Sequence, residues 1–223
     1  MIDQTTQKGR ILNAALASAA QKDWAKVTLL DVAESANLRI GDMRGEFNSK
    51  DAILAALLRA VDDEVLKQAP RRAEGQGSRD ALFDIVMTRF DVLAPYKAAL
   101  KSIYASGAAD FALAGPYLSS QHWMLQAAGI GTEGPLGGLR VSGLALIYAS
   151  VFRTWLDDDD PGLARTMAAL DRRLRRGESA VRTFEQVGGA AYQLASDTRG
   201  FLRTVLRAAA GRGTDTGPEK DSP

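Results

Sequence analysis

Arg39, Asp42 and Arg44 fall on a short segment whose other residues, Leu38, Met43 and Phe47, recur at helical spacing and form an apolar face. A helix with that pattern turns its charged groups outward together, away from the apolar side. Side chains presented in this way can reach base edges in a DNA major groove, with Thr28 and Lys50 on either side placed to hold phosphates.

The other residues with chemical potential lead to plainer expectations. Asp157 to Asp160 are four consecutive carboxylates. Consecutive residues cannot converge on one cation without a special loop, so Asp160 is expected to cap the next helix, with Pro161 at its first position. Gly129, Gly131 and Gly134 match G-x-G-x-x-G letter for letter. That motif needs a preceding strand, and here a helix precedes it, so a flexible loop is expected. His122 is the only histidine, which leaves no histidine triad and no multi-histidine metal site. No serine or lysine sits in a motif for an activated nucleophile. The expectation is no enzyme, no catalytic residue, no metal and no cofactor.

The elements that must position Arg39 and Arg44 can be followed along the chain. Thr28 can cap a first short helix through its hydroxyl, and Asn37 tolerates the left-handed turn that must end it. Asn48 or Ser49 can cap a longer helix, with Asp51 favourably near its positive end. Helix, tight turn and helix with a polar outer face is the geometry that enters a major groove. Helices are predicted near 7–21, 28–36, 39–46 and 49–68. Pro70 and Glu74-Gly75-Gln76-Gly77 read as a boundary. Ser78 is expected to cap a helix ending at Pro95, and a helix over Tyr96–Ser106 follows. Pro116 is expected in the first turn of a helix running to Ala128, and an apolar helix spans Leu139 to Leu156. No strand-like alternation of useful length appears, so the fold class is all-α.

The chain has 223 residues, 46% hydrophobic and 25% charged, with no cysteine. That is a globular composition with no disulfides or thiolate metal sites. No signal peptide or membrane span is read, and a cytoplasmic location is expected. Net charge is +1, unevenly placed. Met1–Pro70 carries nine Lys/Arg against ten Asp/Glu, whereas Asp171–Arg212 carries nine arginines against four acids.

The stretch TLLDVAESANLRIGDMRGEFNSK, together with ILNAALASAAQKDW before it, resembles the N-terminal domain of TetR-type transcriptional regulators. The matching features are the apolar helix from Ile11 to Ala20, Thr28, DVAESA, Gly41, and Phe47 followed by Ser49-Lys50. Asn37 stands where that family usually has glycine, and Arg44-Gly45-Glu46 where it usually has aromatics. The resemblance implies a TetR-like homodimer with an N-terminal helix-turn-helix domain (residues 1–70) and a helical ligand-binding and dimerisation domain (78–176). It implies pairing of subunits through the helices around Leu139–Leu156 and Pro161–Arg176. A double-stranded DNA operator is the expected partner, contacted by Thr28, Arg39, Gly41, Asp42, Arg44 and Lys50.

Phe111, Tyr117, Trp123, Met124, Tyr148, Phe152 and Trp155 concentrate in the C-terminal half. They make a cavity between helices for a hydrophobic small molecule plausible. From Asp80 to Arg176 the chain also resembles the Coq nine family of ubiquinone-biosynthesis accessory proteins, in AAGI, in the tryptophan followed by aspartates, and in TMAALDRRL. That second resemblance implies an isoprenoid lipid as ligand, loss of DNA binding, and membrane contact through a C-terminal amphipathic helix. Residues 178–210 carry Phe184 and Phe201 on an apolar stripe flanked by Arg199, Arg203 and Arg207. Such a stripe either lies in a membrane interface or packs on protein. Residues 211–223 read as a disordered tail.

Overall fold

The computed structural model describes residues 2–70, 73–107, 111–134, 136–179 and 183, with the side chains of 111 and 112 outside that set. Phe184, Arg199, Phe201, Arg203 and Arg207, with the amphipathic segment and tail expected there, lie outside the described residues. Every regular element among the described residues is helical. In order these are α1 (Gln7–Gln21), α2 (Leu29–Ser35), α3 (Ile40–Glu46), α4 (Lys50–Gln68), α5 (Ser78–Leu93), α6 (Lys97–Ala105), α7 (Phe111–Ala127), α8 (Gly137–Leu156) and α9 (164–179). Short 3₁₀ turns at Trp24–Lys26 and Ala94–Tyr96 join α1 to α2 and α5 to α6. Residues 1–178 form one compact unit.

α1 starts because the Thr6 hydroxyl accepts the Gly9 N–H at 3.0 Å, satisfying one orphan donor of the first turn. Its Ile11, Leu12, Ala15, Leu16 and Ala19 are buried, and α1 packs on α2, α4 and α6. Full burial of one such aliphatic side chain contributes about 1.5–3 kcal/mol. α4 starts at Ser49, not Asn48, with the hydroxyl accepting the Ala52 N–H at 3.1 Å.

Three expected starts are corrected by the structure. Ser78 lies inside α5, whose N-cap is Gly77 with no side-chain cap; Asp80 sits in the first turn instead. Pro116 is internal to α7, which begins five residues earlier, where half-buried Leu113 packs against the core and holds the preceding turn helical. A proline there removes one helical hydrogen bond, a local cost that tertiary packing outweighs. Pro161 lies in a turn, and helix resumes only at residue 164 after Leu163 adopts a left-handed φ of 50°. Asp160 still caps this helix, its Oδ2 accepting the Ala164 N–H at 3.0 Å. Asp158 does comparable work from a buried position, its Oδ2 accepting the N–H and hydroxyl of Thr166 at 2.9 and 2.7 Å.

The segment holding Gly129, Gly131 and Gly134 is a loop, as expected from its helical lead-in, with φ of 70° at Gly129 and 77° at Gly134. His122 faces it, Nδ1 lying 3.0 Å from the Thr132 hydroxyl while its ring meets Trp123 edge-on at 5.5 Å. α8 begins two residues earlier than expected, at Gly137, where any Cβ would fall 1.7 Å from the Thr132 carbonyl oxygen.

Candidate nucleic-acid interface and ligand cavity

α2 and α3 are each held at their ends by side chains named in the sequence. Thr28 and Asp31 form a capping box: the Thr28 hydroxyl accepts the Asp31 N–H at 3.1 Å, and Asp31 Oδ2 accepts the Thr28 N–H at 2.7 Å. The Lys22 ammonium adds an ion pair to the same oxygen at 3.0 Å. The Thr28 backbone N–H, then Lys22 and the Thr28 hydroxyl, hold the Asp31 carboxyl at about 2.

The turn that follows closes as a Schellman motif. Leu38 N–H reaches the Ala33 carbonyl at 2.9 Å and Asn37 N–H the Glu34 carbonyl at 3.0 Å. Asn37 supplies the left-handed residue, with φ of 55°. Buried Val32, Ala33, Met43 and Phe47 then fix α3 across α2, and the Gln7 amide ties α1 to the Asp42 carbonyl at 3.2 Å.

This packing leaves the outer side of α3 open. Arg39 precedes the helix with its side chain 89% exposed; Gly41, Arg44 and Glu46 are exposed too. Asp42 accepts the Arg39 backbone N–H at 3.2 Å and pairs with its Nε at 3.2 Å. That pairing holds the Asp42 carboxyl below its ordinary value. Asp42 therefore caps the helix and neutralises Arg39 in the free protein, whereas Arg44 has no ion-pair partner among the described residues. Lys50, expected at a phosphate, instead turns inward. Its ammonium donates to the Trp24 and Val27 carbonyls and lies 4.6 Å from the Trp24 ring centroid. Burial lowers its pKa. Lys50 thus fastens the start of α4 to the turn before α2.

A second feature is a cavity of about 690 Å³ enclosed by α4, α5, α6, α7 and α8. Tyr117, Tyr148 and Phe152, three of the aromatics named from sequence, line it. The others fall elsewhere. Phe111 opens α7, its side chain outside the described set. Trp123 is 50% exposed, because six residues beyond Tyr117 on a helix puts it on another side. Met124 shares Tyr117's side but sits about 10 Å farther along the helix, in the core. Trp155 is buried under Phe90 and Phe152, with ring centroids at 5.3 and 5.5 Å.

Sequence reasoning missed a whole wall of this cavity. Leu54, Leu57, Leu58 and Val61 of α4 line it, together with Leu93, Leu100, Ile103, Tyr104, Arg89 and Arg153. The i, i+3, i+4, i+7 run of α4 was a legible signal, since Ile53 and Ala56 already supply a separate buried side. At the cavity floor the buried Arg89 donates from Nε to the Tyr148 hydroxyl at 3.2 Å and pairs through Nη1 with Asp62. Ser120 donates to the other Asp62 oxygen at 2.7 Å. Burial raises the pKa of Tyr117 and of Tyr148, so both phenols stay protonated.

Among the described residues no cluster of three or more His, Cys, Asp or Glu is placed to hold a metal, and no helix is long and apolar enough to cross a membrane.

Residues 11–57 match the family model for bacterial regulatory proteins, tetR family. The fold is that of solved TetR regulators. A TetR transcriptional regulator from Nitrosomonas europaea ATCC 19718 aligns at TM-score 0.61 and 22% identity, over 78% of this chain and 98% of that one. One from Rhodococcus sp. RHA1 aligns at 0.60 and 21%, over 78% and 96%. A tetR-family regulator from Streptomyces coelicolor aligns at 0.56 and 16%, over 92% and 98%. No curated relative matches the sequence. Nothing in these findings favours the second resemblance, to the Coq nine family.

Proposed function

We propose that this chain, whose residues 11–57 are a tetR-type segment, is a dimeric DNA-binding transcriptional regulator that responds to a hydrophobic small molecule. The observation that carries the proposal is α3. Its apolar side is locked onto α1 and α2, while Arg39, Gly41 and Arg44 stand open to solvent. In that role Arg39 and Arg44 contact DNA, and the exposed backbone at Gly41 allows close approach; a Cβ there would meet nothing within 4 Å. Thr28 serves by setting the α2 N-terminus, and Lys50 by holding α4 beneath it.

Two such helices must sit about one helical turn of DNA apart to read two half-sites, so the active form is a homodimer. Exposed Leu139 of α8 and Met167 of α9 supply apolar surface for pairing. A ligand in the cavity touches α4 and α6, both of which also pack on α1, and so can alter the separation of the two α3 helices.

The test is retention of DNA fragments from upstream of the chain's own gene, across a salt series and against competitor DNA. Sequence-dependent retention that weakens with salt is expected. No retention even in dilute buffer would overturn the proposal.

A further inference from the structure

The described residues that line the cavity include two arginines and no carboxylate. The inner one, Arg89, is already neutralised by Asp62 and held by Tyr148, so the floor is close to charge-neutral. An anion drawn to Arg89 would have to displace Asp62 and leave that carboxylate buried without its partner, which is strongly unfavourable. Arg153 differs. It is exposed at the cavity's edge and has no acidic partner among the described residues. Its Nε donates to the Tyr104 hydroxyl at 2.9 Å, with the guanidinium 5.9 Å from that ring's centroid, which holds the charge across the gap between α8 and α6. Beyond this edge the wall is aliphatic, from Leu54, Leu57 and Leu58 to Leu93.

We infer that the effector is a monoanionic amphiphile, whose aliphatic tail lies along the α4 leucines and whose acidic head meets Arg153. The inference rests on the cavity being the effector site of the proposed regulator. A cation would be repelled by Arg153, whose charge no carboxylate lining the cavity balances. A neutral chain would fill the interior but leave Arg153 unused.

The experiment titrates the full-length protein with dodecanoate, dodecanol and dodecyltrimethylammonium below their micelle-forming concentrations, following tryptophan fluorescence and melting temperature. Dodecanoate is expected to bind about twofold to fivefold tighter than dodecanol, the range for a partly exposed ion pair, with the cation weakest. Arg153→Gln should erase the advantage of the carboxylate and leave dodecanol binding unchanged, while Arg153→Lys keeps most of it. Tightest binding by the cation, equal binding of acid and alcohol, an unaltered preference in Arg153→Gln, or no binding of any probe overturns the inference. DNA retention by the ligand-free protein is scored in the same samples, so that failure of the ligand assignment and failure of the regulator proposal are told apart.

Discussion

The Ser102 hydroxyl of α6 accepts the backbone N–H of Trp24 at 2.9 Å and donates to the Lys22 carbonyl at 3.2 Å. Its neighbours Ile103 and Tyr104 line the cavity, so one turn of helix touches both the ligand space and the turn that precedes α2. Trp24 also accepts from Lys50 through its carbonyl, which joins α6, the α1–α2 turn and the start of α4 at one point.

Ser102→Ala should therefore weaken communication more than binding. Loss of the two bonds costs about 1–2 kcal/mol, since the Trp24 N–H is left without that acceptor. DNA affinity without effector should change little, while effector-induced release becomes shallower. Paired DNA-retention curves with and without ligand, alongside thermal melts, check this. An unchanged effector response would remove Ser102 from the coupling.

Arg89 and Asp62 should behave as a unit. Arg89→Met leaves Asp62 buried and unpaired and should cost about 3–5 kcal/mol, measured by urea unfolding. Adding Asp62→Leu should return much of that loss. A double variant as unstable as the single one would mean that shape, not charge, governs the site.

Acid should loosen α2 in a defined window. The Asp31 carboxyl lies at about 2 against an ordinary 3.8, the backbone N–H of Thr28 being the largest cause. A lowered carboxylate pKa stabilises the fold fully above the unfolded value and progressively less as pH falls toward the folded one. The contribution of Asp31 should thus fade between about pH 4 and pH 2. Asp31→Asn should flatten that part of the stability profile, and identical profiles for the two proteins would contradict the assignment.

On α3 the two arginines should not be equal. Arg44 has no ion-pair partner among the described residues, whereas Arg39 must first leave Asp42. Arg44→Ala should therefore weaken DNA retention more, with a salt slope shallower by about one if it meets a phosphate. Asp42→Asn should tighten retention, because it releases Arg39 while keeping an acceptor for the helix start. Fluorescence anisotropy over a salt series measures both, and tighter binding by Arg44→Ala would exclude that contact.

The short-range chemistry of this protein was legible in its sequence. Thr28, Asn37 and Ser49 act through hydrogen bonds to residues at most five away, which fixed the helix-turn-helix boundaries closely. What escaped depended on distant partners. Pro116 sits inside α7 because Leu113 packs against the core, and no local signal reports that. Arg89 gave no sign of burial, since its compensating Asp62 lies on another helix. Of the aromatics expected at the ligand, Trp123 and Trp155 were excluded by helix rotation and core stacking, respectively.

The leucines of α4 carry a practical consequence for anyone recombining such proteins. A chimera spliced at Glu74–Gly77, where the chain invites a cut, would import α5 to α8 and retain Leu54, Leu57 and Leu58 from the recipient. On the proposed reading of the cavity as the effector site, the hybrid would match neither parent's ligand. A junction placed ahead of Lys50 moves the whole binding chamber, and then the donor's lysine must find a tryptophan and a valine carbonyl waiting in its new host.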